Sequence, residues 1–378
     1  MHKYRKLLIL TASYGDGHIQ VSNVLKHKFE QNGFQSVKLI DLFEEAHPLM
    51  NTITKFLYIN SGALSAIGLD YYGWSYYLTK NLKQDSMLAK CLNVLGIQKL
   101  MKVILQEKPD VIVSTFPFGG ISDQLKRRGM SIPTFTILTD FVLHNRWLYS
   151  IPDRFYVATE DLRREMIERG IPGDIITVSG IPIREPFYET SRPREDGESE
   201  PSVLIMAGAY GVLRDLKKIT GQLLSAAGVR IHVVCGKNDK LKNELQASFA
   251  ADPRVRLYGF VDDIHKLMSR SSCIVTKAGG ITLSEAIHIN VPIIIFKPFP
   301  GQEKENASYL SDQGVALIAN EISELTRQAK AILTDEKMAN AMKNRARSLQ
   351  AGYAAKRIVE DVFHRLMVIE RTRQGSSA

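Results

Sequence analysis

Short apolar runs alternate with longer stretches whose apolar residues recur at helical spacing, and this alternation constrains the fold more than any other feature. Five such runs precede residue 189: KLLILTA at 6, SVKLIDL at 36, DVIVSTF at 110, TFTILTD at 134 and RFYVAT at 154. Strands of this kind, each followed by a helix, predict a parallel sheet covered on both faces. The carboxyl ends of its strands would share one edge, where open α/β sheets bind ligands.

The alternation stops at residues 189–201, ETSRPREDGESEP, which have linker composition because they contain no large apolar side chain. It restarts with six further runs: SVLIMAGAYG at 202, RIHVVCGK at 230, RVRLYGF at 254, SCIVTKAGG at 272, PIIIFKP at 292 and GVALIAN at 314. We therefore predict an α/β protein with two Rossmann-like, doubly wound lobes, residues 1–188 and 202–350, facing each other across a ligand cleft. Residues 351–378 are predicted to form a C-terminal helix and tail, with the helix packing back across the lobes.

Composition limits the partners that such a chain can have. The net charge of +9 is spread over both halves, which suits an anionic nucleotide, an anionic membrane surface or nucleic acid equally. Nucleic acid is not expected, since the basic residues form no stripe interleaved with aromatics outside residues 49–82. Cys91, Cys235 and Cys273 lack metal-ligand spacing and are expected to be reduced core residues of a cytosolic protein, with no metal site. No uncharged stretch approaches the roughly 20 residues that span a bilayer, so membrane contact is expected to be peripheral.

The stretch TASYGDGH, residues 11–18, places glycines and a histidine where the first strand is expected to become a helix. Glycine allows close backbone approach, so a ligand can reach the chain at Gly17. The positive end of the helix dipole would keep His18 neutral, as a general base requires. The alternative is a turn histidine that caps local backbone.

The stretch IVTKAGGITLSEA, residues 274–286, repeats the order strand, glycine turn and helix in the second lobe. Gly279 and Gly280 leave room for a ligand at the helix N-terminus, where backbone amides bind phosphate. Thr282 and Glu285 fall in the first turns, and a carboxylate there can accept hydrogen bonds from ribose hydroxyls. This pattern predicts a nucleotide diphosphate site. The alternative is an ordinary strand–helix turn in which Glu285 complements the helix dipole.

A loop rich in proline and glycine, KPFPGQEKENA at 297–307, ends in Gln302, Glu303 and Asn306. Amide and carboxylate groups at a cleft edge are suited to sugar hydroxyls, which are costly to leave unpaired. The alternative is a solvated loop.

Six motifs occur in order over nearly the whole chain: TASYGDGH, TDFVLHNRW, SGIPIR, MAGAYG, KAGGITLSEA and PGQEKENA. In this order they resemble the bacterial processive diacylglycerol β-glucosyltransferases of glycosyltransferase family 28. That family is similar to the plant monogalactosyldiacylglycerol synthases and, more distantly, to the peptidoglycan glycosyltransferase that makes lipid II. The resemblance implies a GT-B fold, a UDP-sugar held as substrate by the C-terminal lobe, a lipid acceptor at the N-terminal lobe, and no metal or other cofactor.

The resemblance also assigns roles to individual residues. It implies that His18 is the catalytic base, that Thr282 and Glu285 bind phosphate and ribose, that Gln302 and Glu303 contact the donor sugar, and that Gly208 and Gly211 face the diphosphate. In one respect the chain departs from the plant enzymes, which have a run of glycines before the histidine. Here Asp16 separates Gly15 from Gly17, so acceptor contacts near that turn are expected to differ.

The motif TDFVLHNRW supplies Asp140, His144 and Trp147 at the end of an apolar strand, where they are expected to point into the cleft. Asp140 is a candidate to orient His18 or an acceptor hydroxyl. The alternative is a helix cap and a buried aromatic residue.

Residues 49–82 are the candidate membrane contact, because Phe56, Tyr71, Tyr72 and Trp74 belong to an aromatic cluster around an uncharged run. Aromatics with polar tips favour the headgroup boundary, and a lipid acceptor needs an apolar entry. Basic residues are expected to assist, among them Lys55, Lys80, Lys83, Lys126, Arg127 and Arg128. A buried helical hairpin is the alternative.

The activity that this resemblance implies is inverting transfer of glucose from UDP-glucose to the 3-hydroxyl of 1,2-diacylglycerol, and onto the resulting glucosyl-diacylglycerol. The protein would act peripherally at the cytoplasmic face of the cell membrane and supply glycolipids and lipoteichoic acid anchors. The donor loop leaves open a galactosyltransferase on the same lipid and N-acetylglucosaminyl transfer to a polyprenyl lipid. A sugar epimerase of the same fold and a nucleotide-sugar sensor are further alternatives.

Overall fold

The computed structural model describes residues 6–12, 16–41, 77, 80, 87–189, 200–211, 213, 215–225 and 229–375. Its contacts divide the chain into two compact units. Unit 1 contains the described residues up to 183 together with those from 351 onward, and the described residues between 184 and 350 belong to unit 2. Within the described residues, each unit is built on one six-stranded parallel sheet.

The strands are β1 Lys6–Thr11, β2 Ser36–Asp41, β3 Val111–Ser114, β4 Thr134–Ile137, β5 Arg154–Val157, β6 Ile176–Val178, β7 Ser202–Met206, β8 Arg230–Val234, β9 Val255–Tyr258, β10 Cys273–Thr276, β11 Ile293–Phe296 and β12 Ala316–Ala319. The helices are α1 Asp16–Gln31, α2 Met87–Glu107, α3 Ile121–Arg127, α4 Glu160–Glu168, α5 Pro186–Glu189, α6 Leu216–Ser225, α7 Asp239–Phe249, α8 Ile264–Arg270, α9 Gly280–Ile289, α10 Gln302–Asp312, α11 Ile322–Thr334, α12 Glu336–Ser348 and α13 Ala354–Gly375.

The sheet of unit 1 has the strand order β2-β1-β3-β4-β5-β6. All five strands predicted for this half of the chain are confirmed, and β6 is an additional edge strand of only three residues. The chain leaves β1 toward β2 and returns on the other side of β1 to form β3. The topological switch point, where open α/β sheets bind ligands, therefore lies between β1 and β3.

The sheet of unit 2 has the order β12-β11-β10-β7-β8-β9, and all six predicted strands are confirmed. Its central strands are mainly apolar because helices cover both faces, and β10 and β11 are buried at every position. The switch point of this sheet lies between β7 and β10, which pair in parallel. The turns that follow these two strands contain the motifs MAGAYG and KAGGITLSEA.

The predicted C-terminal helix is present as α13, and it packs against α1 of unit 1. Ile358, Val362 and Leu366 form its buried face. Asp361 accepts a hydrogen bond from the Tyr156 hydroxyl at 2.8 Å, which joins the helix to β5. The chain thus completes unit 1 only after it has formed unit 2. Among the described helices, none combines the length and the apolar character needed to cross a bilayer.

Candidate active site

His18 lies in the first turn of α1, at the switch point of the unit 1 sheet. The side chain is buried, and its Nδ1 atom is 2.8 Å from the backbone carbonyl of Thr115, the residue that follows β3. A carbonyl oxygen can only accept a hydrogen bond, so Nδ1 carries the proton. In the neutral ring the lone pair that can accept a further proton is therefore on Nε2.

Buried hydroxyl groups hold the first turn of α1 against the ends of β1 and β3. Ser22 donates to the carbonyl of His18 at 2.8 Å, and its oxygen is also 2.8 Å from the Thr115 hydroxyl. Thr115 reaches Thr11 at 3.1 Å, and the Thr139 hydroxyl lies 3.1 Å from Nδ1 of His18. This network fixes the orientation of the imidazole ring, because each member is buried among the others.

Burial lowers the pKa of His18, because desolvation disfavours the imidazolium form. The Asp140 carboxylate and the hydrogen bond to Thr115 oppose this effect and raise the pKa. Asp140 is itself buried. The ring is accordingly neutral before it takes up a proton, and the charge that then forms faces a carboxylate. Such an arrangement can perform general base catalysis. Asp140 acts on His18 electrostatically, and a contact with an acceptor hydroxyl stays a prediction.

The other two candidates in TDFVLHNRW have local structural roles. His144 caps a short 3₁₀ helix, Asn145–Leu148, by accepting a hydrogen bond from the backbone N–H of Arg146 at 3.2 Å. Trp147 is buried. Both observations match the alternative of a cap and a buried aromatic residue, and a contact of either side chain with an acceptor stays a prediction.

In unit 2, Gly279 occupies the N-cap position of α9. It has no side chain to cap the helix, and a Cβ atom built on it would meet no other atom within 4 Å. A phosphate could therefore approach the amides of the first turn, where the helix dipole favours negative charge. Gly280 begins the helix, and Thr282 is partly exposed in that first turn. This geometry is suited to the predicted diphosphate site.

Glu285 lies one turn further along α9 and is buried. Burial raises the pKa of its carboxyl group to about 7, while the Arg184 guanidinium has a smaller, lowering effect. One guanidinium nitrogen of Arg184 is 3.9 Å from Oε1 of Glu285. Hydrogen bonds from ribose hydroxyls would favour the ionised form of this carboxyl group.

The second half of the loop predicted to contact a sugar is helical, and Gln302, Glu303 and Asn306 lie in the first two turns of α10. Gln302 is partly exposed, whereas Glu303 is buried and pairs with Lys277 at 2.8 Å. Asn306 is fully buried and donates to the Ala278 carbonyl at 3.2 Å, so it holds the KAGG turn in place. Lys277 was not among the residues predicted from the sequence. Its signal was a charged residue directly after a strand that is buried at every position.

The turn after β7 has left-handed backbone at Gly208 and Gly211, with φ of 81° and 64°. It packs against the turn after β8, where a Cβ atom on Gly236 would lie 2.4 Å from the carbonyl oxygens of Gly208 and Ala209. Gly236 was also missed, because nothing in its neighbouring sequence reveals this approach. β7 and β10 pair, so the glycine turns after them flank the switch point.

Several sequence predictions concern residues that the structure does not describe in full. Phe56, Tyr71, Tyr72 and Trp74 lie outside the described residues. Gly17 is described as the partly exposed second residue of α1, and its contact with a ligand stays a prediction. Among the described cysteines, Cys235 and Cys273 are buried and form no disulfide, as expected.

Comparison with known families gives two matches that together cover most of the chain. The model of the monogalactosyldiacylglycerol (MGDG) synthase family matches residues 18–183. The model of the glycosyltransferase family 28 C-terminal domain matches residues 206–362.

Curated relatives match over nearly their full length. The chain is 38% identical to the processive diacylglycerol beta-glucosyltransferase of Bacillus cytotoxicus, over 96% of this chain and 94% of that protein. It is 36% identical to the Bacillus licheniformis protein of the same name, over 99% of this chain and 98% of that protein.

Solved structures confirm the predicted GT-B fold. MurG of Acinetobacter baumannii aligns with a TM-score of 0.62 at 18% identity, covering 94% of this chain and 98% of that one. The calicheamicin glycosyltransferase CalG4 aligns with a TM-score of 0.65 at 12% identity, covering 97% and 100%. The UDP-GlcNAc 2-epimerase of Neisseria meningitidis aligns with a TM-score of 0.59 at 17% identity, covering 95% and 100%. At these identities the likeness concerns the fold alone.

Proposed function

Since this chain belongs to the family of processive diacylglycerol β-glucosyltransferases, we propose that it transfers glucose from UDP-glucose to the 3-hydroxyl of 1,2-diacylglycerol. The β-configured product is then an acceptor for further glucose. The protein thereby supplies glucolipids to the membrane and to lipoteichoic acid anchors.

Unit 1 provides the base for this reaction. Nε2 of His18 takes the proton of the acceptor hydroxyl while its oxygen attacks the anomeric carbon from the face opposite UDP. The bond from the anomeric carbon to the UDP oxygen breaks, UDP leaves with the bonding electrons, and the configuration inverts. Asp140 stabilises the imidazolium that forms, because it is the charged group that raises the pKa of His18.

Unit 2 provides the donor site. The amides at the N-terminus of α9 bind the diphosphate and stabilise the negative charge that develops on UDP, and we assign no metal to this step. The Thr282 hydroxyl assists them. Glu285 accepts hydrogen bonds from the ribose, and Gln302 and Glu303 contact the glucose. The turn of Gly208 and Gly211 faces the diphosphate from the neighbouring strand.

The observation that carries the proposal is the buried His18 imidazole with Nδ1 held by the Thr115 carbonyl. A histidine that only capped its own helix would bond to nearby backbone. The tautomer of His18 is instead fixed by the Thr115 carbonyl, 97 positions along the chain and directly after β3, on the other side of the switch point. The ring is thus prepared to accept a proton at Nε2.

The acceptor is a lipid, so we propose peripheral binding at the cytoplasmic face of an anionic membrane. Support comes from Lys126, Arg127 and Arg128, which are exposed together at the end of α3. Each basic residue near an anionic surface contributes about 1 kcal/mol. Replacing all three by glutamine should lower partitioning onto phosphatidylglycerol vesicles at least tenfold, whereas a Lys217→Gln, Lys218→Gln variant of α6 should not. Equal partitioning of both variants would contradict the assignment of this surface.

The activity is tested by incubating the protein with diacylglycerol vesicles and UDP-glucose, UDP-galactose or UDP-N-acetylglucosamine. Lipid products are identified by mass spectrometry, and the anomeric configuration is read by NMR. We expect β-glucosyl diacylglycerols carrying one or more glucoses from the first donor. A galactolipid as the main product would overturn the donor assignment. UDP binding without any lipid product would favour a sensor.

A further inference from the structure

Lys277 and Glu303 form a buried ion pair at the carboxyl edge of the unit 2 sheet. Lys277 directly follows β10, and Glu303 is the second residue of α10. The Nζ and Oε1 atoms are 2.8 Å apart, and each side chain is only 12% exposed. A pair removed from water in this way bears a desolvation penalty, which attraction offsets only where the remaining polar atoms are also satisfied.

The Glu303 carboxylate is only half satisfied. Oε1 faces Lys277, whereas Oε2 is buried and has no hydrogen-bond partner among the described residues. A contrasting pair in the same unit is Arg254 and Asp252, where guanidinium nitrogens reach both carboxylate oxygens at 3.0 and 2.7 Å. A pair that served stability alone would gain by satisfying Oε2 as well.

The ammonium group of Lys277 is also held from a second direction. Its Nζ atom lies 5.3 Å from the centre of the Phe299 ring, a favourable cation–π distance. Phe299 belongs to the loop that joins β11 to α10. Lys277 therefore has a defined position, from which its ammonium group holds Oε1 of Glu303. Holding Oε1 in place also fixes the direction in which Oε2 points.

We propose that Lys277 is a positioning residue that turns Oε2 of Glu303 toward a hydroxyl of the donor hexose. The inference rests on the proposed function and extends it to a residue outside the assigned donor contacts. Oε2 is an acceptor without a donor, and a sugar hydroxyl would supply the missing hydrogen bond. Lys277 itself touches neither the sugar nor UDP. Its effect should therefore concern the sugar and spare the nucleotide.

The test compares KM for UDP-glucose with the inhibition constant of UDP, which lacks the sugar. The variants are Lys277→Met, Lys277→Arg, Glu303→Gln and the double variant Lys277→Met, Glu303→Gln. Lys297→Met is the matched control, because Lys297 also lies over an aromatic ring, at 5.1 Å from Phe296, and faces a carboxylate, at 3.5 Å from Asp215, but is exposed.

We expect Lys277→Met to raise KM for UDP-glucose roughly ten- to hundredfold, as loss of a hydrogen bond to a charged group does. The inhibition constant of UDP should stay within twofold, and Lys277→Arg should restore most of the lost affinity. In the double variant the two losses should not multiply, since Lys277 acts through Glu303. Lys277→Met leaves the Glu303 charge unpaired, and this variant could fail to fold for that reason. The double variant removes both charges, so its KM tests the inference in that case.

An unchanged KM in the double variant would overturn the inference. So would an equal loss of UDP affinity, which would place Lys277 at the nucleotide, or fully multiplicative losses, which would make the residues independent. A wild-type protein that neither binds UDP-glucose nor forms a glucolipid would overturn the proposed function itself, and this inference with it, before any variant is compared.

Discussion

At the scale of single residues, the chemistry of unit 1 depends on which nitrogen of His18 carries the proton. His18→Ala removes the base and should lower kcat about 100- to 10,000-fold. UDP affinity should persist, because the assigned nucleotide contacts all lie in unit 2. The measurement is steady-state transfer to diacylglycerol beside calorimetric titration with UDP. Undiminished turnover would remove His18 from its role.

The charge of Asp140 should be visible in the pH profile. Since this carboxylate raises the pKa of His18 against the lowering effect of burial, Asp140→Asn should lower that pKa further. The acid limb of kcat/KM therefore moves to lower pH, and kcat falls because the imidazolium loses its counter-charge. Profiles of both proteins between pH 4.5 and 8 check this. An acid limb that stays in place or moves to higher pH would contradict the electrostatic role.

The ionised Glu285 carboxylate should favour UDP binding but lower the stability of the folded protein. Its pKa is raised to about 7 in the folded protein, above the usual 4.5, so the folded state holds the proton more tightly than the unfolded chain between these values. Stability is therefore lost as pH rises through this window. Glu285→Gln should stabilise unit 2 by on the order of 3 kcal/mol at pH 8 and by almost nothing at pH 4. The same change should weaken UDP binding. Calorimetric unfolding at the two pH values is the measurement.

A control of opposite sign lies in unit 1. Hydrogen bonds from Lys38 and Lys6 hold the pKa of Glu107 below its usual range, so this carboxylate stabilises the fold once it is ionised. Glu107→Gln should accordingly destabilise unit 1 at pH 8. A stabilisation by Glu285→Gln that did not depend on pH would show that the carboxylate charge is not its cause.

Local patterns in the sequence predicted the candidates that lie near the start of a helix after a strand. His18 and Glu285 could be predicted because each belongs to a glycine-containing stretch where a strand gives way to a helix. Lys277 was missed because its importance arises from Glu303, 26 positions away, and from the orphaned Oε2 atom. Gly236 was missed for a similar reason, since two carbonyl groups from another turn exclude its Cβ atom.

At the scale of elements, the glycine turns of unit 2 perform two different tasks that alanine substitution can separate. Gly279 has a φ of −72°, which alanine adopts readily, and the space around a new Cβ atom is open. Gly279→Ala should change the free energy of unfolding by no more than about 1 kcal/mol, since loss of the cap and stiffening of the unfolded chain nearly cancel. The new methyl group would occupy the approach to the helix amides, so UDP affinity should fall tenfold or more.

Gly236 is the comparison position, where alanine should lower the stability of unit 2 because the added methyl group has no room. Its φ is 63°, and a Cβ atom would lie 2.4 Å from backbone oxygens that cannot move independently. Gly236→Ala should therefore destabilise unit 2, by roughly 2 kcal/mol or more. Thermal unfolding and UDP titration of both variants are the measurements. Loss of stability in Gly279→Ala with retained UDP affinity would argue against a phosphate site at α9.

Most strands were predictable because helices cover both faces of a parallel sheet, which makes the strands continuous apolar runs. β11 shows this most clearly, with three isoleucines and a phenylalanine, all buried. β6 was missed because it has only three residues. A pairing at a sheet edge can form such a strand although its own sequence has no recognisable period.

At the scale of the whole molecule, the order in which the two units can fold differs from the order in which their first residues occur along the chain. Unit 1 contains residues from both ends of the described chain, whereas the described residues of unit 2 all lie between 184 and 350. The described strands and helices of unit 2 can therefore pack on one another before the C-terminal helix is added. Unit 1 must wait for α13, whose buried face and hydrogen bond to Tyr156 complete its core. The sequence predicted the helix from its apolar spacing, but the unit on which it packs depends on tertiary contacts.

Removing α13 should consequently destabilise one unit and spare the other. A chain that ends at Gln350 loses four fully buried large side chains, Ile358, Val359, Val362 and Leu366. At roughly 1.5–3 kcal/mol each, this loss approaches the whole stability of an ordinary domain. Hydrogen exchange should show loss of protection in β1 to β6 and retained protection in β7 to β12. A chain that ends at Thr372 keeps these side chains and should match the full-length protein. Equal loss of protection in both units would mean that they fold as one cooperative body, and would refute the independent folding of unit 2.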